Sequence, residues 1–243
     1  MKLKMRRSLR GGYRKGVHVI WSYTSIDLFQ TCGKWVYHKH VAKDLPPEVK
    51  TEEQQWGIDV HLALERRCRD GVPLPEHFKR WEPLAASVCN AGTPLVEFKV
   101  GLGRDFKPRG FFADDVWGRG VFDIALVPDV SLDRPRKHKK TAAIFDWKTG
   151  KPKEKPLQLK LFALFGFAHW PVDEIVTANI WLKTGKPGTP TLFRREQVPA
   201  LWAEVLPTIN AMERSEATGD WRAQPGPLCG WCPVTSCVHN PRS

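Results

Sequence analysis

The sequence predicts an α/β fold in which helices flank a central mixed sheet. Two changes of hydrophobic period carry that expectation. Up to about residue 90 the apolar residues recur at helical spacing between capping signals, and from residue 94 they fall into short strand-like runs. The period then returns to helical at Pro156 before a further strand. At 243 residues the chain can bury one sizeable core. A single domain over 21–243 is therefore expected, with a basic flexible arm over 1–20.

The elements follow in order. Ser22 to Val41 reads as a helix: Thr24 or Ser25 can cap it, and Ile26, Phe29, Trp35 and Val36 give it an apolar side. Residues 44–50 form a proline-containing linker. Thr51-Glu-Glu-Gln54 matches a capping box, with arginines in the last turn before Gly71, and predicts a helix over 51–70 that carries His61. A further helix is expected over 76–90, irregular at Pro83. Leu95 to Leu102, Phe111 to Trp117 and Val121 to Val127 read as strands, and the loop 128–141 leads into a fourth that ends at Asp146-Trp-Lys148-Thr-Gly. Pro156 suits the first turn of a helix over 156–169. Ile175 to Leu182 is a strand, Lys183 to Pro190 a turn, Leu192 to Arg195 a short strand and Pro199 to Glu216 the last long helix. The longest apolar run, Leu161 to Trp170, is too short to span a bilayer, and the start has no signal-peptide core.

Asp146 and Lys148 stand two residues apart at the end of an apolar strand, so they share one face while Phe145 and Trp147 share the other. Such groups are costly at a buried strand end unless they pair or bind something. A simple ion pair satisfies that condition; a metal ion with an activated water satisfies it as well.

The formal net charge is +12, which points to a polyanionic partner. The positive charge is clustered: Lys2, Lys4, Arg6, Arg7, Arg10, Arg14 and Lys15 form one group, and Arg134, Arg136, Lys137, Lys139 and Lys140 another. Solvated surface is the plain alternative for both. Of the six cysteines, Cys229, Cys232 and Cys237 form a C-x2-C-x4-C cluster suited to a metal and lacking a fourth ligand, while Cys68 and Cys89 read as ordinary buried thiols.

Taken in order, Gly57-Ile-Asp-Val-His61, Gly120-Val-Phe-Asp123, Phe145-Asp146-Trp-Lys148-Thr-Gly-Lys and Gln158 with an aromatic four residues on are similar to the PD-(D/E)XK nuclease superfamily. With Cys32 in the 22–37 segment and the terminal cysteines, the chain resembles its RecB-like branch that carries an iron–sulfur cluster. The resemblance spans about residues 20–240. It implies a restriction-endonuclease-like core. It also implies a metal site for Mg2+ or Mn2+ made of His61, Asp123, Asp146 and the carbonyl of Trp147. Lys148 would lower the pKa of the attacking water or hold it in line. Gln158 would orient a phosphate or the water, or simply fill a buried polar gap. Glu97 reads as a surface strand carboxylate, or as a ligand through water. Cys32, Cys229, Cys232 and Cys237 would hold a 4Fe-4S cluster that joins 21–41 to 220–243 in a small subdomain; Zn2+ accepts the same thiolates. One departure is Phe162, where the family's Q-x-x-x-Y ends in tyrosine.

The implied activity is that of a metal-dependent DNA exonuclease acting on single strands or ends, in recombination, repair or phage DNA processing. Its partners would be DNA and a recombination or helicase protein, with no membrane, in the cytoplasm of a bacterial or phage-infected cell. The alternatives are a CRISPR adaptation nuclease and a non-catalytic iron–sulfur DNA-binding subunit. Trp147 and Trp231 are candidates to stack on bases; Trp56, Trp181 and Trp202 read as core.

Overall fold

The computed structural model describes residues 19–128 and 140–243. Nearly all of the basic arm, and the cluster from Arg134 to Lys139, lie outside the described residues. The architecture is α/β: a mixed sheet of seven strands flanked by helices.

The chain enters through Trp21, 1% exposed, which fills the space that a side chain at Gly118 would occupy. Ser22 caps helix α1 (Tyr23–Thr31) through a reciprocal pair with Ser25. The single helix expected here is broken. Cys32 is extended, and the chain restarts as α2 (Gly33–Val36) and a π-helical turn (Tyr37–Ala42). The break has a tertiary cause: Lys34 N donates to Arg222 O at 3.0 Å, and only a glycine at 33 lets that carbonyl come so close.

Helix α3 (Glu52–Asp70) starts at the expected capping box, with Thr51 and Gln54 satisfying each other's backbone, and ends at Gly71 in the left-handed region. A 3₁₀ turn (Glu76–Trp81) leads into α4 (Glu82–Cys89), so Pro83 lies in a first helical turn rather than inside a longer helix. Packing of α3 on α4 joins Cys68 to Cys89 in a disulfide, a correction to two separate thiols.

The sheet begins with β1 (Pro94–Leu102) and the short β2 (Pro108–Arg109) beside it. β3 (Gly118–Leu126) and β4 (Thr141–Lys148) continue the antiparallel run. The strand expected over 111–117 is instead a loop of successive turns, because Phe111 and Phe112 are followed by Ala113-Asp114-Asp115 and the chain folds back through Val116 N to Ala113 O. β5 (Glu174–Trp181) lies parallel to β4, with α5 (Pro156–His169) as the crossover. β6 (Lys186–Pro187) and β7 (Thr191–Arg194) pair with the far edge of β5. Finally, α6 (Val198–Thr218) packs on α1 and α5.

Two cores sandwich the sheet. One, under α5 and α6, gathers Trp21, Val100, Leu102, Phe122, Phe162, Phe165 and Trp202. The other, under α3 and α4, gathers Val60, Leu64, Trp81, Ile124, Trp147 and Ile180. Phe162 is thus a core ring, lying edge-on to Phe122 at 5.2 Å, where a hydroxyl would find no water. No helix among the described residues is long and apolar enough to cross a membrane.

Candidate active site and cysteine cavity

Pairing between β3 and β4 stops at Ile124 and Phe145. Beyond that point the two strands separate, and Asp123 and Asp146 lie at the opening. The Trp147 N–H, freed from the ladder, donates to Asp123 Oδ2 at 2.8 Å. Asp146 Oδ1 accepts from Gln158 Nε2 of α5 at 2.9 Å, both side chains being buried. Lys148 Nζ rests against Asp146 Oδ2 as an ion pair, although that oxygen makes no hydrogen bond of regular geometry.

α3 closes the site from the other side. Gly57, His61 and Glu65 recur every four residues and so lie on one stripe. His61 Nδ1 is 3.5 Å from Asp123 Oδ2. Gly57 brings the helix to the end of β4: a Cβ there would meet Thr149 Oγ1 at 3.2 Å. The resulting groove, of about 920 Å³, is lined among others by Gly57, His61, Glu65, Glu97, Asp123 and Lys183.

The electrostatics follow from this geometry. Burial, and next the Asp146 charge, push the Asp123 carboxyl well above the usual range, against the pull of the Trp147 N–H. Burial lowers the His61 imidazole, with the Asp146 carboxylate opposing it, so a neutral ring is favoured. Glu97 is raised by burial and then by Glu65. It is half-buried, directly opposite Asp123, and holds a left-handed φ of 49°, unusual for a residue with a side chain. It belongs to the acidic site rather than to a plain strand surface.

Every side chain the sequence nominated for the metal and catalytic set therefore comes to one opening: His61 from α3, Asp123 from β3, Asp146 and Lys148 from β4, Gln158 from α5. Trp147 contributes through its backbone, and its ring is buried beneath α3, so it does not stack on bases as expected. Asn179 was missed. It pairs in register with Asp146, is 1% exposed, and finds no protein hydrogen-bond partner for its side chain. The signal for it is a polar residue inside the apolar run 175–182.

At the other end of the molecule, Cys32, Cys229, Cys232 and Cys237 line one cavity of about 260 Å³. None of the four is in a disulfide. Gln224 N donates to Cys32 Sγ at 3.5 Å and Gly226 N to Cys229 Sγ at 3.4 Å. Burial, then the neighbouring cysteines, raise the Cys232 thiol. Asn240, buried, ties the loop by donating to the carbonyls of Cys232 at 2.9 Å and Val234 at 3.0 Å. Trp231 stands 85% exposed beside this cavity. Among the described residues, no three His, Cys, Asp or Glu side chains are drawn closely enough together to hold a metal ion as they stand.

No protein-family model and no curated protein matches the chain. Among solved structures, one described as "Crystal structure of SSO0001" is similar over 88% of this chain and 85% of that chain, at 12% identity and a TM-score of 0.46. A likeness at that level carries no argument about fold family or function.

Proposed function

We propose that the chain is a metal-dependent DNA nuclease of the PD-(D/E)XK type, built on a restriction-endonuclease-like core. The observation that carries the reading is the convergence of His61, Asp123, Asp146, Lys148 and Gln158 from four elements on the gap between β3 and β4. A structural ion pair has no need of the second buried carboxylate, Asp123, whose charge the fold opposes.

The donor set fits a divalent cation such as Mg2+ or Mn2+: two hard carboxylates, a backbone carbonyl at Trp147 and an imidazole held neutral by burial. When bound there, such an ion supplies Lewis acidity toward the phosphate and a more acidic water. The chain's own residues do the positioning. Gln158 fixes Asp146 through Oδ1, and the Trp147 N–H fixes Asp123 through Oδ2. Lys148, whose ammonium lies at the groove end, orients the attacking water and offsets phosphate charge. Glu97 stands beside Asp123 and is suited to hold a water on the same cation.

The cysteine cavity fits a 4Fe-4S cluster held by Cys32, Cys229, Cys232 and Cys237. Four thiols converge on one space, and backbone N–H groups already point at two of the sulfurs. Bound there, a cluster would staple the first helix to the tail and form the small subdomain.

Digestion of end-labelled single-stranded and duplex DNA with Mg2+ or Mn2+, wild type beside Asp146→Ala, tests the reading. Products from wild type alone support it, and the labelled end gives the polarity. DNA binding without cleavage by the wild type would make the chain a non-catalytic DNA-binding subunit.

A further inference from the structure

Phe112 is 77% exposed on the loop between β2 and β3, an unusual position for an unsupported ring. Its neighbour Phe111 lies edge-on to it at 4.9 Å. Two cations attend the pair. Lys99 Nζ is 5.5 Å from the Phe112 ring centre and 5.8 Å from that of Phe111, and the Arg119 guanidinium is 5.1 Å from Phe111. Neither cation forms a salt bridge among the described residues.

The sheet builds this patch deliberately close to the site. On β1 and β3, Phe98, Val100 and Phe122 pack into the α5 core. The alternate residues Lys99, Gly101, Arg119 and Val121 therefore point to the opposite face. That is the face on which His61 meets Asp123. Gly101 lets the loop lie flat on the strands, since a Cβ there would come within 2.9 Å of Arg109 O and 3.0 Å of Gly110 O. Lys99 stands two residues from Glu97 along β1, and Arg119 four residues from Asp123 along β3. At the rise of a strand that is about 13 Å, or roughly four nucleotides at the 3.4 Å spacing of stacked bases.

We infer that Phe112, with Lys99 and Arg119, is a stacking platform that holds an unpaired DNA strand leading to the carboxylate site, an inference that rests on the nuclease reading above. A ring flanked by cations offers a base its π-face and the neighbouring phosphates their counter-charge. Duplex DNA keeps its base faces stacked internally and presents none to such a ring. The platform thus selects single strands and supplies positive charge beside an acidic groove that would otherwise repel DNA.

The test is fluorescence anisotropy of fluorescein-labelled dT20, and of a blunt duplex of equal length, with the full chain and Ca2+ in place of the catalytic ion. Phe112→Ala should weaken dT20 binding by about tenfold, and Phe112→Leu should do the same, while Phe112→Trp should keep it. Lys99→Gln and Arg119→Gln should each reduce the slope of log affinity against log salt by about 0.7. Duplex affinity should change far less in the Phe112 variants. The exposure of Phe112 keeps its variants folded, and matching thermal melts check this.

Wild-type dT20 affinity in Phe112→Ala, or an equal loss on single strand and duplex, would overturn the platform and make the patch a surface for a protein partner. If wild type cleaves DNA while Phe112→Ala binds dT20 normally, only this inference fails. If Phe112→Ala weakens dT20 binding but wild type cleaves nothing, the platform stands and the nuclease reading fails.

Discussion

Gly57 is where α3 rests on the end of β4, and it offers a sharp test of how the site is held. A Cβ at this position would meet Thr149 Oγ1 at 3.2 Å, inside the 3.4 Å at which ordinary contact begins. His61 follows one turn later on the same stripe, and Lys148 directly precedes Thr149. A side chain at 57 therefore wedges the His61 helix away from the Asp146–Lys148 strand. Glycine in a helix interior costs about 1 kcal/mol relative to alanine, so Gly57→Ala gains at most that in folding, or roughly 2–4 °C in a chain of this size. The same change must shift the helix by a few tenths of an ångström. A misplacement of about 1 Å costs about 100-fold in rate, so alanine should lower activity about two- to fourfold while raising the melting temperature. Gly57→Val places two more carbons in the same gap and should lose about 100-fold, with little change in melting because valine and glycine are both poor helix formers. Initial rates on end-labelled single-stranded DNA, read beside thermal melts, check both. Adding Thr149→Ala should restore part of the rate to Gly57→Ala. A wild-type rate in Gly57→Val, or a loss no larger than its unfolded fraction explains, would refute the idea that this contact sets the site.

Three further outcomes follow from the same geometry. Asp123 is raised well above its usual range, so the folded chain holds that proton more tightly than the unfolded one, and metal-free stability must fall as pH rises from about 3.8 upward. Asp123→Asn should remove that slope and melt higher than wild type in chelator at neutral pH; parallel melting curves across pH would contradict the burial argument. Gln158→Leu takes away the hydrogen bond on buried Asp146, worth roughly 1.5–3 kcal/mol for a charged acceptor, and should lower kcat more than DNA affinity; an unchanged kcat makes Gln158 a simple gap filler. Asn240→Ala strands two buried carbonyls at about 1–3 kcal/mol each and loosens the Cys232 loop, so iron and sulfide per chain should drop on purification, against a wild-type value if the loop is held by other means.

Where the fold was legible in the sequence, local rules decided it. The capping box at Thr51, Pro156 in a first turn and the alternation along β1 each act within a few residues, so each element forms close to where its residues predict. Where it was not, the cause lies far away in the chain. The helix break at Cys32 depends on Arg222, some 190 residues later, and nothing in 22–41 announces it. The aromatic run at 111–117 carries strand propensity, yet Gly101 on another strand makes room for it to cross the sheet as a loop. The left-handed backbone of Glu97 is likewise invisible locally, because glutamate has no preference for it.

The candidate site has the same division. Its residue types are readable, since carboxylates and a lysine inside an apolar strand call for an explanation. Its assembly is not, because it depends on β3 and β4 parting after Ile124 and Phe145. That parting does two things at once. It frees the Trp147 N–H to restrain Asp123, and it opens buried carboxylates to the groove. An acidic opening of this kind repels the phosphate chain it is proposed to cut, so a nuclease needs positive charge nearby but off the cation's ligands. Lys148 meets that need at the strand end, and Lys99 and Arg119 meet it on the same sheet face two to four residues away. A chain that used this gap only as a structural ion pair would have no reason to surround it with cations left free of carboxylates, and that asymmetry is what makes the catalytic reading the better one.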